Sequence, residues 1–191
     1  GVTWKDGNEK GTSLSIGEFY IAYPIKDNHD TINEALSKGY HLLLSPGVYE
    51  LEEPIKISHA NTVVLGLGLP TLIPVDGKAA IETSDVGGIK LAGIMVDAGL
   101  KESEVLIQIG EPDADNDHSE NPSSLHDVYC RVGGAIAGTA KIALEINSNN
   151  VIGDHFWLWR ADHGAGADWN VNRSDNGLIV NGDDVTIYGL F

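Results

Sequence analysis

"GGIKLAGIMVDAG", residues 87–99, is too short and too often broken by glycine to make a helix, while its apolar Ile94 and Val96 alternate with Met95 as on a half-buried β-strand. The same frame recurs along the chain. "NTVVLGLGLPTLI" (61–73), "SLHDVYCRVGG" (124–134), "NVIGDHFWLWR" (150–160) and "DDVTIYGLF" (183–191) superpose on it, with Leu67, Ile94, Val128, Phe156 and Leu190 in equivalent positions. Their spacings are 27, 34, 28 and 34 residues, and Gly66, Gly93, Asp127, His155 and Gly189 stand just before them. An irregular repeat near 30 residues, built of short strands with variable insertions, is what a solenoid produces when each coil stacks on the last and buries a shared core. The five apolar residues are therefore expected to point inward on successive parallel strands.

Other architectures fit less well. Propeller blades need about 40 residues or more per repeat, and a doubly wound α/β fold needs a helix after every strand. Helical patterning is confined to "DTINEALSKG" (30–39), where Asp30 or Thr31 can cap, Ile32, Ala35 and Leu36 form a stripe, and Gly39 stops the turn. The expected fold is an all-β, right-handed parallel β-helix with this short helix covering its first coil; an antiparallel sandwich is the alternative. Residues 1–191 are expected to form one β-helix domain. The final "DDVTIYGLF" reads as a strand without a turn or cap after it, so the chain is expected to be the N-terminal part of a longer one, and its start at Gly1 rather than Met suggests a leader already removed.

Composition narrows the partners. Twelve basic residues against 28 acidic ones give a net charge of −16, which repels nucleic acid and anionic lipid. No apolar run reaches the roughly 18 residues of a membrane span. A single cysteine, Cys130, excludes an internal disulfide and reads as a small buried hydrophobe. "EPDADNDHSEN" (111–121) starts like a calcium loop, but His118 replaces the required glycine and no glutamate stands at the twelfth position, so a solvated acidic insertion is expected. No metal or other cofactor is expected. The glycines of "VLGLGLP" and "GGIKLAG" precede no helix, so they read as turns and not as a phosphate cradle.

The run "HDTINEALSKGYHLLLSPGVYELEEPIKI" (29–57), with its capping helix, apolar strand, "PGVY" turn and "PIKI" strand, resembles the opening of the pectate-lyase-like β-helix superfamily. "VVLGLGLPTLIP", "AGIMVDAG", "NPSSLHDVYCRVGG", "DHFWLWRADHG" and "NGLIVNGDDVTIYGLF" are similar to a narrower group of bacterial secreted proteins close to glycoside hydrolase family 55, often labelled coagulation factor 5/8 type domain or adenylyl cyclase proteins. The resemblance covers the chain from about residue 12 onward. It implies an extracellular, carbohydrate-active protein hydrolysing β-1,3-glucan or a similar neutral polysaccharide with inversion, and a second β-helix packed on the first. It also implies a glutamate general acid, which matches neither Glu82 nor Glu145, both in strand-like contexts. A non-catalytic glycan-binding or structural β-helix, and a polysaccharide lyase, are the other two classes. The chain's scarcity of basic residues disfavours the lyase.

If Phe156 and Leu158 face inward, Trp157 and Trp159 face outward. Two exposed indoles about 7 Å apart on one strand suit stacking against a pyranose, or else they are covered by protein: the insertion at 160–180 or the missing C-terminal part. The loop "RADHGAGADWNVNRSDNG" (160–177) adds Asp162, His163, Asp168 and Trp169. These six residues are the candidate saccharide contacts. Asp162 and Asp168 could also meet the carboxylate spacing of a glycosidase, about 5–5.5 Å for retention and 6.5–9.5 Å for inversion, although Asp, Asn and Gly are equally the ordinary residues of a turn.

Overall fold

A computed structural model describes residues 11–191. The expectation about the chain's first residue lies outside that range. A 3-10 turn at Ile16–Glu18 leads into β1 (Phe19–Ala22), followed by α1 (His29–Ser37). Then come β2 (His41–Leu44), β3 (Val48–Leu51), β4 (Ile55–Ile57), β5 (Val63–Gly66), β6 (Thr71–Pro74), β7 (Ile81–Thr83) and β8 (Lys90–Asp97). The remainder is β9 (Ser103–Ile109), β10 (Ser123–Val132), β11 (Ala140–Ile146), β12 (Val151–Arg160), β13 (Asn176–Val180) and β14 (Thr186–Leu190). Each strand pairs in parallel with its counterpart one coil away. The first face runs β1-β2-β5-β8-β10-β12-β14, the second takes β3, β6 and the far halves of β8, β10 and β12, and the third runs β4-β7-β9-β11-β13. This is a parallel β-helix.

In the later coils one residue turns the chain from the first face to the second. Gly93 (φ 70°), Asp127 (φ 51°), His155 (φ 61°) and Gly189 (φ 59°) all adopt the left-handed conformation. A left-handed residue breaks the period of two, so the inward positions step by three there: Leu91 then Ile94, and Leu125 then Val128, all fully buried. Beyond the corner alternation resumes, burying Val96 and Cys130. Burial holds the Cys130 thiol protonated, far above its ordinary range.

The column of Ile94, Val128, Phe156 and Leu190 is in register as expected. Leu67 is not part of it. It is 44% exposed, because the second coil turns its corner with four residues, "LGLP", in which Gly68 (φ 66°) and Leu69 (φ 55°) are left-handed. Thr71 therefore stands opposite Met95, and Leu72 takes the buried place beside Val96. Leu190 pairs with Phe156 but stays 48% exposed on β14.

Helix α1 starts earlier than its apolar stripe suggests. Its cap is Asn28, whose Oδ1 accepts from the Thr31 N–H at 3.1 Å while Thr31 Oγ1 accepts from the Asn28 N–H at 3.2 Å. Ile32, Ala35 and Leu36 are buried, and Gly39 (φ 86°) ends the turn. The helix also closes the open edge of the third face: Asn33 Oδ1 accepts from the Lys56 N–H of β4 at 2.8 Å, and its Nδ2 donates to Pro54 O at 2.8 Å. An exposed strand edge invites pairing with other chains, and one amide side chain here occupies it.

The acidic insertion is solvated at Asp113, Asp115 and Asp117 but tied down at its base. Asp85 accepts from the backbone N–H of Asn116 (2.9 Å) and Asp115 (3.1 Å), from Ser148 Oγ (2.8 Å), and pairs with His118 Nε2 (2.8 Å). Burial works to raise the Asp85 pKa, but the Asn116 N–H, His118 and Ser148 outweigh it and hold the carboxyl below its ordinary range. This anchor is therefore fully effective above the unfolded carboxyl's pKa of about 4, and is lost as pH falls through the lower folded value. Asp85→Asn is expected to lower thermal stability near neutral pH, with the two stability–pH curves converging in acid. A gap that stays constant down to strong acid would show that the charge on Asp85 is not what holds the insertion.

Candidate functional site: an aromatic column on the second face

Past the corner, odd-numbered residues of β12 project outward. Tyr129 stands in register with Met95 on one side and Trp157 on the other, and Arg131 with Asp97 and Trp159. Together Met95, Tyr129, Arg131, Trp157 and Trp159 line a recess of about 160 Å³. The two indoles lie 6.5 Å apart between ring centroids, tilted by 55°. Trp157 is 53% exposed, whereas Phe156 beside it is fully buried. Trp159 is half-buried because its ring lies over Gly134, where a Cβ would come within 3.1 Å of it.

The loop that follows is a built element. Ala165 exchanges backbone hydrogen bonds with Gly134 (2.8 and 2.9 Å), which pulls the loop back by one coil. The fully buried Asn172 donates to Val132 O (2.7 Å) and Ala161 O (2.8 Å) and accepts from the Asp168 N–H (3.2 Å). Arg160 donates to the carbonyls of Asn172, Asp168 and Trp169 at 2.8–3.1 Å. A charged donor shared among three carbonyls fixes this backbone more firmly than neutral pairs do. What the loop presents is Trp169, 83% exposed.

The six residues singled out in the sequence are thus only partly brought together. His163 lies 5.5 Å from the Trp159 ring and 2.6 Å from Asp162, and that hydrogen bond lowers the Asp162 pKa. Asp168 instead uses its carboxylate to accept from the Trp169 N–H at 2.6 Å. Sequence reasoning missed Met95, Tyr129 and Arg131 in the recess, and Asp127 and His155 at its corner. The available signal was the mirrored pair "HD" at 126–127 and "DH" at 154–155, one coil apart.

A larger polar groove of about 510 Å³ lies on the third face, lined among others by Asn33, Lys56, Glu82, Gln108 and Glu111. Glu82 pairs in register with Gln108, and Gln108 with Glu145. Among the described residues no group of three or more His, Cys, Asp or Glu is placed to hold a metal ion, and no helix is long and apolar enough to cross a membrane.

The family described as the LAM55 pectate lyase-like domain matches residues 19–191. The chain belongs to this family. A LAM55 relative, the exo-beta-1,3-glucanase of Streptomyces sp. (strain SirexAA-E / ActE), is 49% identical over all 191 residues, which span 31% of that protein. The solved structure of sacteLam55A from Streptomyces sp. SirexAA-E superposes with a TM-score of 0.96 at 48% identity, covering all of this chain and 35% of that one. A variant of sacteLam55A in complex with glucose gives a TM-score of 0.95 at 48% identity, over 34% of its length. The chain thus spans about a third of the relatives it matches.

Proposed function

We propose that the protein acts outside the cell on β-1,3-glucan, hydrolysing it with inversion, and that this β-helix supplies a substrate-contacting face. The observation that carries the reading is the likeness, along the whole chain, to a protein named exo-beta-1,3-glucanase. The net charge of −16 suits a neutral polymer rather than a polyanion. The contacts assigned to this chain are Trp157, Trp159 and Trp169 as stacking surfaces, with Asp162, His163 and Asp168 around them. The general acid is proposed to lie outside these 191 residues, because Glu82 and Glu145 project from regular strands of the third face.

Incubating the full-length protein with laminarin tests the reading. Release of glucose, first as the α-anomer by NMR, is the expected result. An unsaturated product from a polyuronate, with no glucose from laminarin, would mark a lyase, and tight binding of laminarin without any product would mark a binding module. For the contact face, Trp157→Ala and Trp169→Ala are each expected to weaken binding of laminari-oligosaccharides by about 1–3 kcal/mol, the scale of burying one large apolar side chain. Unchanged affinity with lowered thermal stability would assign these tryptophans to packing.

A further inference from the structure

The corner beside the recess carries two imidazole–carboxylate pairs. His126 Nδ1 lies 3.7 Å from Asp154 Oδ2, its register partner, and one position further His155 Nδ1 lies 2.6 Å from Asp127 Oδ1. The Tyr129 hydroxyl joins the second pair, 3.3 Å from Asp127 Oδ1 and 3.1 Å from His155 Nδ1. Tyr129 is also a wall of the recess that Trp157 lines. One tyrosine therefore makes the aromatic recess and the polar cluster continuous.

The backbone gives an independent indication. Asp127 and His155 are left-handed, and the coils on either side fill the same corner with Gly93 and Gly189. Aspartate and histidine enter this conformation more readily than most residues, yet glycine remains the favoured occupant. The turn itself needs no side chain at these two positions. Two polar ones are kept there, half-exposed, with Asp127 Oδ2 and His155 Nε2 making no hydrogen bond among the described residues. Strain retained at a surface where unpaired polar atoms converge points to a ligand.

We propose that Asp127, Tyr129 and His155 form the hydroxyl-reading edge of a glucosyl subsite whose stacking floor is Trp157; the proposal rests on the aromatic column being a glucan contact. An indole face offers area but discriminates weakly among neutral sugars, so selectivity comes from a few fixed polar groups at the rim. Here the rim offers a carboxylate oxygen to accept from one ring hydroxyl and an imidazole nitrogen to meet another. Asp127 fixes the Nδ1 side of His155, which leaves Nε2 as the atom that faces the ligand.

The glycines of the neighbouring coils supply the test. In the full-length protein Asp127→Gly and His155→Gly remove the side chain while relaxing the backbone, so the melting temperature should hold or rise. Affinity for laminaritetraose, measured calorimetrically, should fall about tenfold, the scale of losing one charge-assisted hydrogen bond, and preference over cellotetraose should shrink. Unchanged affinity in both glycine variants, with Trp157→Ala still weakened, would overturn the inference and leave the glucan contact standing. Unchanged affinity in all three would overturn both. A loss of affinity matched by a fall in melting temperature would assign the cluster to packing of the corner and overturn the inference.

Discussion

Replacing Phe156 by alanine is expected to cost about 3–5 kcal/mol of stability and to lower the melting temperature by about 10 °C. The ring is fully buried and occupies the column between Val128 and Leu190. Its near neighbour is Gly153, where a Cβ would sit 2.5 Å from the ring, so the glycine exists to make room for the phenylalanine. Truncation leaves a void beside Gly153, which has no side chain to fill it, and backbone paired into a ladder on both sides cannot collapse into it. The loss also reaches the candidate site, since the next residue along the strand is Trp157. Unfolding by heat and by urea measures the effect, with Leu190→Ala in the same column as the reference. Because Leu190 is 48% exposed, its truncation should cost much less. Equal losses at the two positions would contradict the assignment of Phe156 to the closed core.

The inward column was readable because three features coincide in the later coils. Ile94, Val128 and Phe156 each follow a residue that tolerates left-handed backbone, and each leads a strand with clean alternation, so one frame aligned them. Leu67 broke the frame because a proline and two left-handed residues widened its corner, and nothing local in "GLGLP" says whether a turn takes one residue or four. The helix cap, Asn28, lies two residues before Asp30 and three before Thr31, the caps the apolar stripe suggests, for a similar reason. Apolar periodicity begins at Ile32, but the hydrogen bonds that start the helix are made by Asn28 and Thr31. The outward direction of Trp157 was legible from alternation alone. The construction of the following loop was not, since the buried Asn172 looks in sequence like the exposed Asn170 two residues before it. The partnership of Asp127 with His155 needed the register between coils, which fixes 28 residues of chain to one strand spacing.

Arg131→Ala is expected to destabilise the protein by about 3 kcal/mol, although the side chain sits beside a recess open to solvent. Its guanidinium grips Asp97 with two hydrogen bonds, Nε to Oδ1 at 2.6 Å and Nη2 to Oδ2 at 2.8 Å. The Asp97 side chain is only 6% exposed, against 27% for Arg131, so removing the arginine strands a carboxylate that water reaches poorly. The cost comes from that uncompensated charge and not from the strength of the pair, which is why replacing both partners should behave differently. A double variant, Asp97→Leu with Arg131→Met, keeps volume at both positions and buries no charge; it should recover most of the stability lost in the single variant. Urea unfolding of the wild type, the single and the double variant separates these effects. A loss under about 1 kcal/mol in Arg131→Ala, with no recovery in the double variant, would show that the pair behaves as a solvated surface bridge. The same comparison bears on sugar binding, because Arg131 lines the recess with Trp157 and Trp159. If the arginine only seats Asp97, the stable double variant should bind laminari-oligosaccharides like the wild type. If its guanidinium also meets the sugar, affinity should stay low after stability has returned.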